Sequence, residues 1–141
     1  MIRRATSDDI AAVVRLAGQL GGATELAGLP ARLGRILDHA SHAVFVAEGE
    51  AGPCGFAAAE HRLLLPFGEW VELTSLVVDE ALRRQGFGTR LVAAVEAWAA
   101  RRGVERVLVR SSVTRDVAHA FYPGLGYALL KTQHVYARSL R

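Results

Sequence analysis

The sequence predicts a single mixed α/β (α+β) domain, with a mostly antiparallel sheet of six to seven strands flanked by about four helices. Three observations lead there. The 141 residues are 51% hydrophobic and 22% charged, which suits one domain with its own core. Apolar spacing switches repeatedly between the helical and the extended repeat. Short turns join the middle strands into hairpins, whereas a helix separates two later strands and forces them into a parallel pair. The expected domain spans residues 1–141, without internal repeat, low-complexity tract or linker.

Each element follows from its residues. Residues 2–5 are a short extended start. Thr6-Ser7-Asp8-Asp9 is a hydroxyl cap followed by acids, and Ile10, Val13, Val14 and Ala17 fall at helical spacing, so residues 8–20 form a helix ended by Gly21-Gly22. Leu33, Ile36 and Leu37 share one side of a second helix over residues 29–40. Residues 43–48 and 54–65 make a hairpin around a short Gly-containing turn. Residues 69–79 are the third strand of that series, with Trp70, Glu72 and Thr74 expected on one face and Val71, Leu73 and Ser75 on the other. A helix follows over residues 87–102, with Leu91, Ala94, Val95 and Trp98 as its buried stripe and Gly103 as its stop. Residues 105–112 are a strand and residues 115–122 a short helix cut by Pro123-Gly124. Residues 127–130 and 133–139 read as the last strands.

Composition excludes several function classes. One cysteine, Cys54, leaves no internal disulfide and no cysteine-based zinc cluster. The histidines His39, His42, His61, His119 and His134 show no ligand spacing, so no metal is expected. The net charge is +3 and the pI about 9.6, yet every basic residue except Lys131 is arginine, and acids are interspersed among them. That pattern is not a basic patch, and no nucleic-acid partner is expected. No apolar run approaches the roughly 18 residues of a membrane span. The start, MIRRATSDDI, lacks the apolar core of a signal peptide. A cytoplasmic protein without a membrane partner is the expectation.

The chemistry concentrates in Leu82-Arg83-Arg84-Gln85-Gly86-Phe87-Gly88-Thr89-Arg90, between a strand and the start of a helix. Two glycines allow close backbone approach. No side-chain cap precedes the helix, so its first N–H groups lack an internal partner and favour an anion. Arg83 and Arg84 add positive charge, and the ligand this turn suits is a pyrophosphate. It lacks the Gly-Lys-Ser/Thr end of a Walker loop, and Leu91 stands where a dinucleotide fingerprint needs its third glycine.

The stretch from Leu76-Val77-Val78-Asp79 to Thr89 resembles the central motif of the GNAT superfamily of N-acetyltransferases. Arg83, Gly86 and Gly88 fit its Gln/Arg-x-x-Gly-x-Gly/Ala pattern. Ala118-His119-Ala120-Phe121-Tyr122-Pro123-Gly124-Leu125-Gly126-Tyr127 is similar to a second block of the family. The resemblance implies the acyl-CoA N-acyltransferase fold, with its central parallel pair splayed apart, and acetyl-CoA as cosubstrate. It places the pantetheine arm against backbone at Leu76, Val77 and Val78. It places the pyrophosphate on the amides of Gln85, Gly86, Phe87, Gly88 and Thr89. Arg115 stands where many relatives have an asparagine that supports the pantetheine, and is expected to reach phosphate instead.

Transfer of an acetyl group to an amine needs a base, an oxyanion donor and a proton for the leaving thiolate. Glu72 is the expected base, on the strand leading into the turn, at a position that carries a catalytic glutamate in some relatives; Glu60 and Glu69 are the runners-up. Tyr122 matches the family's tyrosine, whose hydroxyl donates to the coenzyme sulfur, although the following Pro123 is unusual there. A backbone N–H near Val77 is the expected oxyanion donor. Cys54 reads as a buried thiol rather than a nucleophile. The apolar Leu63–Phe67 stretch reads either as a wall of the acceptor pocket or as a homodimer contact. The expected activity is acetyl transfer from acetyl-CoA to a primary amine of a small molecule or protein; the alternative is a catalytically silent acyl-CoA-binding module.

Overall fold

A computed structural model describes residues 1–20, 25–110 and 116–141, with side chains from residue 119 onward in the last stretch. It contains two compact units, Met1–Arg110 and Ser111–Arg141.

The first unit is built on a five-stranded sheet, β1 (Ile2–Arg4), β2 (His42–Gly49), β3 (Gly52–Leu64), β4 (Gly68–Val78) and β5 (Val107–Val109), in that spatial order. All neighbours are antiparallel except β4 and β5, which are parallel. The helix that crosses between those two strands is α3 (Phe87–Arg101). The mixed sheet with one parallel pair is therefore as expected, with fewer strands.

Local chemistry explains the start of the unit. Thr6 and Asp9 form a reciprocal capping box around a 3₁₀ turn at Ser7–Asp9, which runs into α1 (Ile10–Ala17). Arg3 donates to both Asp9 oxygens at 2.8 Å and also pairs with Glu48, so strand β1, the cap and strand β2 are tied together. Gly21-Gly22, the expected stop of this helix, lies outside the described residues. Helix α2 (Leu29–Leu37) is shorter than expected and closes at Asp38.

The two faces of the sheet are covered separately. Val13, Leu16 and Ala17 of α1 and Leu33 of α2 pack on Val44, Val46, Phe56 and Val77. Each side chain on that face alternates with one directed to the opposite face. There Leu91, Val92, Val95, Trp98 and Ala99 of α3 are buried. Helix α3 ends as expected at Gly103, where Gly103 N–H donates to Ala100 and Val104 N–H to Ala99, a Schellman closure.

Strand β4 departs from simple alternation. Ala58 pairs with Ser75 but Ala59 pairs with Leu73, so Thr74 is an extra residue in a β-bulge. The bulge exchanges the faces. Trp70 and Glu72 lie with Arg62 and Glu60, and beyond the bulge Ser75 and Val77 take that same face. The expectation that Ser75 opposes Glu72 is corrected: strict period-two counting does not see an inserted residue.

In the second unit, α4 (Asp116–Gly124) contains Pro123 within its last turn instead of stopping before it. Tyr127 N–H closes on Tyr122 C=O and Gly126 N–H on Pro123 C=O, so the helix end is capped beyond the proline. The strands expected at 127–130 and 133–139 are absent; these residues have no regular structure. Leu129, Val135 and Tyr136 are about nine-tenths exposed, so no apolar burial offsets the entropy of ordering an extended chain there. The expected strand at 105–112 is seen as Val107–Val109, and residues 111–112 lie outside the described ones.

Candidate functional site

The phosphate-type turn forms where expected. Strand β4 ends at Val78, Asp79 caps a 3₁₀ turn at Glu80–Leu82, and the chain passes through Arg83–Gly86 into α3. Asp79 is anchored from several sides. It accepts from Ala81 N–H, from Arg15 at 3.3 Å and from Gln19 at 3.5 Å, while its own N–H donates to Cys54 C=O at 2.7 Å. The Ala81 N–H, followed by Gln19 and Arg15, holds its carboxyl below the usual carboxylate range.

The turn itself has two left-handed residues, Arg84 (φ 68°) and Gly86 (φ 83°). Left-handed backbone at a non-glycine costs of order 1 kcal/mol, and such strain concentrates at ligand-binding turns. Gly86 is the N-cap of α3, and no side chain caps the helix there. Its first turn holds no acid, and a Cβ at Gly86 would meet nothing within 4 Å. Uncapped amides in open space, beside Arg83 and Arg84, are what a diphosphate requires. Arg83 Nε donates to Val78 C=O at 3.4 Å, and Arg90 stacks 4.6 Å over the Phe87 ring. Gln85, Gly86, Phe87, Gly88 and Thr89 are thus brought together at one helix start.

Strand β4 lies between β3 and β5. Pairing with β5 runs from Val71–Val107 to Leu73–Val109 and goes no further among the described residues. On its other side β4 is paired to β3 through Gly55–Val78, which includes the motif residues Leu76, Val77 and Val78.

Glu72 lies where β4 is paired on both sides, opposite Glu60 and Leu108. It is one of two buried charged residues among those described, the other being Asp9. Its Oε1 accepts from Arg110 Nε at 3.1 Å, lies 3.5 Å from Arg62 Nη1, and meets the Trp70 indole N–H at 3.5 Å. All three donors meet the same oxygen, so Oε2 has no protein partner among the described residues. Arg62 and Arg110 were not anticipated. Their approach to Glu72 depends on the β3–β4 register and on the placement of β5, which no local sequence pattern gives.

The runners-up separate by face. Glu60 lies opposite Glu72 and pairs with His42 at 3.2 Å. Glu69 points to the α3 face, bound to His61 at 2.8 Å, whose other nitrogen accepts from Arg102. Cys54 is buried, and burial followed by the Asp79 charge pushes its thiol up, away from the reactive thiolate. Leu63, Leu65 and Phe67 are exposed at the tip of the β3–β4 hairpin. Tyr122 lies in the second unit on α4, its ring edge-on to Phe121 at 5.1 Å and to Tyr127 at 5.9 Å. Arg115 lies outside the described residues. No group of three potential metal ligands occurs among the described residues, and no helix among them is long and apolar enough to cross a membrane.

The family model for the acetyltransferase (GNAT) family matches residues 16–127. The chain belongs to that family. A search of curated proteins finds no significant match. Solved structures of family members align closely. The aminoglycoside N-acetyltransferase AAC(6')-Iy in complex with CoA superposes with a TM-score of 0.90 at 22% identity, covering 98% of this chain and 93% of that one. The same enzyme with the bisubstrate analogue CoA-S-monomethyl-acetylneamine gives a TM-score of 0.89 at 22% identity, over 99% and 97%. The apo aminoglycoside 6'-N-acetyltransferase AAC(6')-IG from Acinetobacter haemolyticus gives 0.88 at 16% identity, over 100% and 99%. At these identities the superpositions establish the fold. This GNAT protein has the uncapped turn, the parallel β4–β5 pair and a buried acid on β4 within one unit.

Proposed function

We propose that this GNAT protein transfers the acetyl group of acetyl-CoA to a primary amine by direct attack through a tetrahedral intermediate. The observation that carries the proposal is the uncapped start of α3 at Arg83–Thr89, a short turn after the end of β4. In this reading Gln85, Gly86, Phe87, Gly88 and Thr89 hold the pyrophosphate through backbone N–H groups, with Arg83 and Arg84 adding charge. Leu76, Val77 and Val78 pair with the pantetheine arm along the end of β4. A backbone N–H near Val77 donates to the developing oxyanion. Glu72 accepts the amine proton through a water on Oε2, while Arg62 and Arg110 fix the carboxylate by Oε1. The amine nitrogen then attacks the thioester carbonyl, the C–S bond breaks, and the thiolate leaves with a proton from Tyr122. Arg115 is assigned to the coenzyme phosphates.

The pairing of Glu72 with two arginines favours one other reading, a silent acyl-CoA-binding module in which this acid is purely structural. A single set of measurements separates the two. CoA release is followed with a panel of amines for the wild type, Glu72→Gln and Tyr122→Phe, alongside acetyl-CoA binding. The enzyme reading expects kcat to fall at least a hundredfold in Glu72→Gln with acetyl-CoA affinity unchanged. Binding of acetyl-CoA with no CoA release for any amine selects the silent module. No binding at all rejects both.

A further inference from the structure

On the sheet face that carries Glu60 and Glu72, α2 and the start of β2 border an open pocket of about 280 Å³ lined by Arg32, Arg35, Ile36, His39 and His42. Arg32, Arg35 and Ile36 share one side of α2, and His39 follows just past its end. Among the described residues no acid is in the lining itself, though Glu60 pairs with His42 at 3.2 Å. Arg32 is partly neutralised by Glu25 at 3.0 Å, but Arg35 has no ion pair among the described residues. His39 Nδ1 accepts from Ser41 N–H at 3.3 Å, so a neutral His39 ring presents Nε2–H as a donor. The pocket is a cluster of hydrogen-bond donors with positive charge and one apolar wall.

Its position relative to Glu72 follows from register. His42 pairs with Glu60, and Glu60 pairs with Glu72, so the three occupy one row across β2, β3 and β4 on the same face. Two strand spacings separate His42 from Glu72, about 10 Å. Glu60 is held by His42 and Arg62, so Glu72 Oε2 is the group that suits the amine at one end of that row, and Arg35 with His39 supplies the donors that suit an anion at the other. We infer that the acceptor amine carries an anionic group, a carboxylate or a phosphate, seated among Arg32, Arg35, His39 and His42. This deepens the proposed acetyl transfer and rests on it for the chemistry. It sets the chain apart from the relative crystallised with a neamine-based analogue, since a polycationic aminoglycoside would meet two arginines here.

The test uses four acceptors of one chain length: an ω-amino carboxylate, its neutral amide, the ω-amino alkyl phosphate and the diamine. The inference expects kcat/KM at least tenfold higher for an anionic acceptor than for the amide, with the diamine poorest; which anion leads identifies the group. In Arg35→Glu the anionic-over-neutral ratio falls at least tenfold. Equal use of the amide and diamine overturns the inference and leaves acetyl transfer standing. A second arm needs no turnover. Titration of ¹⁵N-labelled protein with the ω-amino carboxylate, and separately with inorganic phosphate, is expected to shift amides of residues 32–42 in the wild type and not in Arg35→Glu. Shifts absent or spread elsewhere overturn the pocket whether or not any amine is acetylated, whereas failure of acetyl-CoA to bind counts against the transfer reaction alone.

Discussion

The buried carboxylate of Asp9 is stabilised by Arg3 from one side and by the Thr6 backbone from the other. Arg3 is the larger influence and holds Asp9 below its ordinary range. An acid whose pKa is depressed in the folded state adds stability above its unfolded pKa of about 3.9, and that stability is lost as pH falls through the folded value. Arg3→Ala is therefore expected to cost about 2 kcal/mol at neutral pH and much less near pH 3, read from urea midpoints at the two pH values. Glu72 was legible as an acid on the strand before the turn. Its arginine partners were not, because they come from β3 and from the residue just past β5. The same argument covers His42 and Glu60, whose contact needs the β2–β3 register.

Three glycines test the elements they occupy, each for a different reason. At Gly86 the space is open but φ is +83°, so Gly86→Ala is expected to cost about 1 kcal/mol through strain alone. At Gly55 a Cβ would stand 2.9 Å from Val77 C=O and 3.3 Å from Leu91, so Gly55→Ala forces β3 away from β4. A loss of about 2 kcal/mol or more is expected, with weaker acetyl-CoA binding because the end of β4 moves too. Gly34 lies inside α2 with nothing within 4 Å, so Gly34→Ala is expected to stabilise by about 0.5 to 1 kcal/mol. Chemical denaturation of the three variants checks the order. At this scale the helices and central strands were legible, since their periodicities are local. The Thr74 bulge was not, because an inserted residue shows only against a partner strand. The strands expected at 127–130 and 133–139 failed for a related reason: alternation marks a strand only where a neighbour and a covered face exist.

Across the molecule, ligand binding and stability are linked. With acetyl-CoA at 100 times its dissociation constant, stability is expected to rise by about 2.7 kcal/mol, seen as a higher Tm. Gly86→Trp is expected to remove that rise while the protein stays folded, because the bulky side chain fills the open space over the amides. An unchanged Tm for the wild type would contradict the assigned coenzyme site. The sequence by itself determined the mixed α/β class, the crossover that makes β4 and β5 parallel, and the uncapped glycine turn. Each depends on residues close together in the chain, whose spacing and conformational limits are intrinsic. Only the tertiary structure decided which face Glu72 shares, that Arg62 and Arg110 meet it, and that the α2 pocket lies on the same face of the sheet. Those are properties of strand register and helix placement, and register couples residues dozens of positions apart through contacts that no local pattern encodes.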